Sequence, residues 1–221
     1  MKQTIQVSLT VLATLLCGTA FAAPMKAPAY RGTTVPYRID GSVGNAGSFF
    51  YNNFDATNTC GDGCTYDDGD GFFIFDPGNC FGSGAAQNIA WSFTAAKSGK
   101  ALAITVAVTE DANICVGTSD TFVISLYADS CGPTGKALAT GKVKAPSAPC
   151  GTAVLKFKKN KGPSLTAGTR YWVACESASA SGDFTGVWWG TYDGDQGYSF
   201  TNPPPPYSVA PTGNPGAFSV Q

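Results

Sequence analysis

The chain contains no histidine, and only 13% of its 221 residues are charged. Without imidazole there is no Ser-His-Asp or Cys-His relay and no side chain with an ordinary pKa near neutrality, which excludes most hydrolase mechanisms. The same lack, with no Cys-x-x-Cys spacing among the cysteines, argues against a structural zinc site. Beyond residue 23 there is no apolar run of about 20 residues, the length a membrane-spanning helix needs. Long windows of helical periodicity are missing as well. No sign of charge dominates: residues 23–221 carry 13 basic and 15 acidic side chains, a formal charge of −2. That balance excludes the overall basic footprint of a nucleic-acid binder.

What is present begins with a leader. Lys2 supplies a positive start, residues 5–23 are mostly apolar, and Ala20-Phe21-Ala22 has the small-x-small pattern cut by signal peptidase, here before Ala23. The expectation is a secreted protein with residues 1–22 as signal peptide, 23–48 as an N-terminal extension and 49–221 as one domain, without a membrane anchor in the mature chain. Cys17 leaves with the leader, and Cys60, Cys64, Cys80, Cys115, Cys131, Cys150 and Cys175 remain. In an oxidising compartment seven cysteines imply three disulfides and one thiol. The spacing offers Cys60 with Cys64, whose intervening glycines allow a tight loop, and Cys131 with Cys150. A bridge closing about 20 residues stabilises by roughly 3 kcal/mol in the chain-entropy account.

The apolar period of the chain is two. Leu102, Ile104, Val106 and Val108 alternate with Ala103, Thr105 and Ala107, and Phe122, Ile124 and Leu126 alternate with Val123, Ser125 and Tyr127. Further strands are expected at 89–95, 137–143, 152–158, 169–176, 184–192 and 217–220, separated by turns rich in Gly, Pro, Asp and Ser. The fold class implied is all-β: an antiparallel β-sandwich, jelly-roll-like and disulfide-stabilised. The run Asn202-Pro203-Pro204-Pro205-Pro206-Tyr207 reads as a stiff polyproline II loop.

Charge is unevenly placed along the chain. Residues 136–161 hold seven lysines and no acid, whereas residues 55–76 hold six aspartates and no Lys or Arg. In 154–158, Leu155 and Phe157 face one way and Lys156 and Lys158 the other, the pattern of an edge strand protected from pairing with other chains. A polyanion site is the alternative use of those lysines. On the acidic side, "TYDDGDGFF" (65–73) offers Asp67, Asp68 and Asp70, with Asp76 beyond, and "TYDGDQGY" (191–198) offers Asp193 and Asp195. Calcium takes several hard oxygens from such Gly-rich acidic stretches, although neither follows the D-x-D-x-D-G pattern. Plain Asp-Gly turns are the competing reading. Trp188, Trp189, Tyr192 and Tyr198 lie beside the second stretch and are the candidate platform for a sugar ring. Adjacent Trp188 and Trp189 point to opposite sides of a strand, so at most one is expected outside.

Two phrases carry a family resemblance. "SLYADSCGPTGKALATGKV" (125–143) and "SLTAGTRYWVACE" (164–176), preceded by "IAWSFTAAKSGKALAITVAV" (89–108), resemble the "choice-of-anchor" domains of bacterial secreted proteins. The resemblance spans roughly 49–220, and the Ala167-Gly168-Thr169 turn followed by Tyr171 and Trp172 is its most specific part. It implies an extracellular β-sandwich module with no settled activity; the Cys-rich and Asp-rich stretch 60–80 departs from it. The expected function is therefore a non-catalytic extracellular module for surface or matrix binding or adhesion, with a polysaccharide partner and calcium as the candidate cofactor. The alternatives are a purely structural matrix protein and, further off, a glycoside hydrolase drawing two carboxyl groups from Asp67, Asp70, Asp193, Asp195, Glu110 and Glu176.

Overall fold

The computed structural model describes residues 26–27, 48–54, 66–79, 84–110, 119–130, 132–147, 150–179, 182–190, 198–201, 208–210 and 215–221. Among these residues there is no helix, and so none long and apolar enough to cross a membrane. In chain order the strands are β1 (Lys26–Ala27), β2 (Tyr51–Asn52), β3 (Asp67–Phe75), β4 (Asn88–Thr94), β5 (Gly99–Lys100), β6 (Ala103–Val106), β7 (Val108–Glu110) and β8 (Thr121–Ala128). They continue with β9 (Ala139–Lys144), β10 (Ala153–Lys156), β11 (Ser164–Leu165), β12 (Arg170–Glu176), β13 (Thr185–Gly190), β14 (Tyr198–Thr201), β15 (Ser208–Ala210) and β16 (Phe218–Val220).

One layer is a six-stranded antiparallel sheet in the order β15-β14-β4-β12-β8-β9. The other joins two four-stranded sheets, β1-β3-β13-β7 and β10-β6-β16-β2, with a short β11-β5 pair beside them. The two halves meet at Ala107, which interrupts the run between β6 and β7. There the Ala107 N–H donates to Ala217, the Trp189 N–H donates to Ala107, and the Ala217 N–H donates to Trp189. The sequence reads 102–108 as one strand; the structure splits it, because β13 pairs with its second half and β16 with its first.

Alternation explains which side chains meet between the layers. Phe122, Ile124 and Leu126 of β8, Tyr171, Val173 and Cys175 of β12, and Ile89, Trp91 and Phe93 of β4 face Phe72, Ile74, Ile104, Val106, Val108, Trp188, Phe218 and Val220 across a shared core. Burying each large side chain stabilises by about 1.5–3 kcal/mol relative to leaving it in water. This is the arrangement of a β-sandwich. Leu102 departs from the expected pattern and is 49% exposed. It lies before β6, where its N–H bonds the carbonyl of Gln221 and its carbonyl accepts from Phe157.

The larger correction concerns Asp67, Asp68 and Asp70. Their segment is part of a nine-residue strand rather than an Asp-Gly turn. The ladder with β13 matches Trp189 to Gly71 and then Gly190 to Asp67, so residues 68–70 form an irregularity within the strand. Gly71 is needed there: a Cβ would lie 2.6 Å from Val187 Cγ1 and 2.9 Å from the Trp188 carbonyl oxygen. Composition hid this strand because aspartate and glycine are depleted in strands generally.

The lysine edge is as expected. β10 ends one sheet and β9 ends the six-stranded sheet, and their lysines are exposed while Leu155, Phe157, Ala139 and Val143 pack on the core. β1 pairs with Gly71 and Phe72 of β3.

Two cysteines are described. Cys150 is disulfide-bonded, and its partner lies outside the described residues, as do Cys60, Cys64 and Cys131. Cys175 is free and fully buried, and burial pushes its thiol well above the usual range, with Glu176 adding to the shift. Intact-mass analysis of oxidised protein is therefore expected to show one alkylatable thiol, at Cys175, and only after denaturation. Rapid labelling of Cys175 in the folded protein contradicts this placement.

Candidate functional site

On β12 the residues opposite the core-facing set are Arg170, Trp172, Ala174 and Glu176. They look out from the six-stranded sheet, with Ser92 and Tyr127 directly across from Trp172 on the two neighbouring strands. Trp172, Tyr127, Ala90 and Ala174 form a small apolar cluster of their own, against which Ala137 packs. Of the two rings at which the family resemblance is most specific, Tyr171 fills the sandwich core and Trp172 lies on the opposite face of the sheet.

Asp129, just after β8, organises this face. Its Oδ2 accepts from Arg170 Nε at 2.9 Å and Nη2 at 2.7 Å, and its Oδ1 accepts from Trp172 Nε1 at 2.7 Å and the Gly132 N–H at 3.3 Å. Burial pushes the Asp129 carboxyl up, but the Trp172 and Arg170 hydrogen bonds outweigh it, and the net pKa lies below the ordinary value. The guanidinium remains half in solvent: the Arg170 side chain is 56% exposed. At the other end of the face the Tyr127 hydroxyl donates to Glu176 Oε1 at 2.9 Å. Glu176 is two alternations along β12 from Trp172, about 13 Å at strand rise, so the Tyr127 ring lies lengthwise over small Ser125 and Ala174 to reach it. Burial raises the Tyr127 pKa far above its usual range, and the Glu176 charge adds to the rise. Tyr127 thus stays a neutral donor. Ser125 and Thr140 complete the row through a 3.0 Å hydroxyl contact.

Chemically, the face combines a fixed guanidinium and a partly exposed carboxylate over an aromatic floor. Asp129 is held ionised by its neighbours, and Glu176 accepts from the Tyr127 hydroxyl. The sequence names Glu176 only as a candidate catalytic carboxyl and Trp172 only within the family resemblance, and does not single out Tyr127, Asp129 or Arg170. The signal available was the alternation of 170–176; nothing local marks Asp129 as the partner of Arg170 and Trp172, which are 41 and 43 residues away.

The sequence-derived sites fall differently. Trp188 and Trp189 do point to opposite faces, Trp188 to the main core and Trp189 to a second cluster with Tyr66, Phe73, Phe75 and Val187. Yet both are buried, at 0% and 6% exposure. Their indoles donate to the Ala217 carbonyl at 3.0 Å and to Thr109 Oγ1 at 2.7 Å. Neither ring offers an open face for a sugar, which corrects that expectation: the second face of the β3-β13 sheet is covered as well as the first. Tyr192, Asp193 and Asp195 lie outside the described residues, and of Tyr198 only the backbone in β14 is described. The same holds for the side chains of Asp67, Asp68 and Asp70. Asp76 is buried, and Oδ2 accepts from the Phe184 N–H at 3.4 Å, with Ser177 and Ala178 as further donors. Burial raises its pKa. It clamps the connection from β12 to β13. Among the described residues no group of three or more Cys, Asp or Glu side chains is placed to hold a metal ion.

The chain matches no family model, and no curated protein matches it.

Replacing Asp129 with Asn keeps the shape but weakens the acceptor for a guanidinium and an indole, a loss of about 1–3 kcal/mol at neutral pH. Because the folded pKa is depressed, this stabilisation is complete above the unfolded value of about 4 and disappears as pH falls through the lower folded value. Thermal melts of Asp129→Asn and the parent should therefore differ at pH 7 and converge in acid. An equal gap at both pH values contradicts the ion pair's role.

Proposed function

We propose that the protein is a secreted, non-catalytic β-sandwich module, wound as a jelly roll and held by disulfides, that binds a polysaccharide or another surface component. The observation that carries this reading is the fixed polar array on the outside of the six-stranded sheet. Arg170, steered by Asp129, and Glu176, steered by Tyr127, present charged donors and acceptors to solvent in a set geometry. Such pre-positioned groups suit the paired hydroxyls of a sugar, since little ordering entropy is lost on contact. The choice-of-anchor resemblance supports an extracellular setting, as does the apolar leader. Calcium at Asp67, Asp68 and Asp70 or at Asp193 and Asp195 belongs to this proposal as a second source of hydroxyl ligation.

Absence of histidine in the chain and the ionised state of Asp129 speak for binding rather than hydrolysis. A structural matrix role is the second reading. It is favoured by one observation: Trp91, Trp172, Trp188 and Trp189, all four tryptophans, are buried.

A glycan array probed with and without calcium separates the readings. The binding reading expects retention of a defined glycan class and at least a tenfold loss with Arg170→Ala, measured well below the melting temperature of the variant, which loses the Asp129 ion pair. Uniform failure to bind any glycan in both conditions favours the structural role.

A further inference from the structure

Lysines and open strand edges coincide on one rim of the sandwich. β9 ends the six-stranded sheet and β10 ends the opposing layer, and the two edges lie side by side, closed by Leu155 packing at Gly141. Lys142 and Lys144 project from β9 and Lys156 from β10, all exposed. The chain then turns tightly, with Asn160 at φ 62° and the Lys161 N–H donating to the Lys158 carbonyl at 2.8 Å, and exposes Lys158, Lys159 and Lys161. The turn is anchored where the Ala101 N–H meets the Pro163 carbonyl at 2.9 Å. No acid occurs between residues 130 and 175. Asp120, 2.8 Å from Lys144, is the only acid paired with these lysines among the described residues.

We propose that this rim is a binding site for a linear acidic polysaccharide, one carrying carboxylate or sulfate groups. The proposal rests on the extracellular binding reading and names a second contact surface, separate from the Arg170 face. Charge complementarity selects the occupant: a rim this basic on a chain of net negative charge is a local attraction, not a general one. Lysines on one strand recur every two residues, about 6.6 Å apart; Lys142 and Lys144 face out of one layer and Lys156 out of the other, so the two rows border the shared edge from its two sides. A flexible charged polymer follows a line; a bilayer surface calls for a plane. A second copy of the chain adding a strand is opposed by the same lysines, which repel an incoming lysine-bearing edge.

The test uses the full mature chain, with alginate and dextran sulfate as acidic probes, neutral dextran as control, and anionic phospholipid vesicles and duplex DNA as competing polyanions. Tight, salt-sensitive binding to the acidic polysaccharides is expected. Each neutralised lysine should weaken it about fivefold, so Lys142→Gln with Lys156→Gln and Lys158→Gln costs about a hundredfold. The triple Lys→Arg variant should retain binding. Lys97→Gln, which changes net charge away from the rim, should leave it unchanged. Equal loss with Lys97→Gln overturns the site, as does preference for vesicles or DNA over both acidic polysaccharides. Binding of a neutral glycan through Arg170 without binding to either acidic probe overturns the rim and leaves the module reading standing. No binding to any carbohydrate overturns both.

Discussion

The two layers are joined where Gly216 lets two tryptophans and the last strand come together. Trp91 of the six-stranded sheet meets Trp188 of the opposing layer edge-on at 6.5 Å between ring centroids, and Trp188 meets Phe218 at 6.1 Å. A Cβ at Gly216 would lie 2.6 Å from Trp188 Nε1 and 2.7 Å from its Cε2. Asn53, itself buried, ties this point from behind: its amide donates to the Gly216 carbonyl at 3.1 Å, and its Oδ1 accepts from the Phe218 N–H at 2.7 Å. A polar side chain so deep is stable because both of its ends are satisfied.

Everything outside follows from that junction. Once β12 places Tyr171, Val173 and Cys175 inward, alternation forces Arg170, Trp172 and Glu176 outward, and the polar face is a consequence of core packing. The rim has a similar origin. β9 and β10 are the end strands of their sheets, and lysine is a residue that protects such edges while Leu155 closes the gap between them. The protective and binding uses of those lysines are compatible, because a polysaccharide needs no strand pairing.

Alternating stretches were the legible part of the sequence. β8 and β12 could be read from period two alone, and so could the lysine edge, since a half-buried strand writes its burial directly into every second residue. β3 could not, because Asp67, Asp68, Gly69, Asp70 and Gly71 resemble turn material, and only pairing with β13 draws them into a ladder. Nor could the fate of Trp188 and Trp189 be read. Alternation put them on opposite faces, but the second cluster that buries Trp189 is assembled from Tyr66, Phe73, Ala107 and Cys150, far apart in the chain. The Asp129 site was invisible for the same reason: its chemistry depends on long-range contacts between β12 and the turn after β8.

The junction at Gly216 is tested most directly by adding one methyl group. Gly216→Ala removes no contact, so any loss measures how tightly the indoles and β16 are packed. Urea unfolding followed by tryptophan fluorescence and far-ultraviolet circular dichroism is expected to show a loss of about 1–3 kcal/mol, with both probes shifting together. An unchanged midpoint would show that the layers are not joined there and would contradict the account.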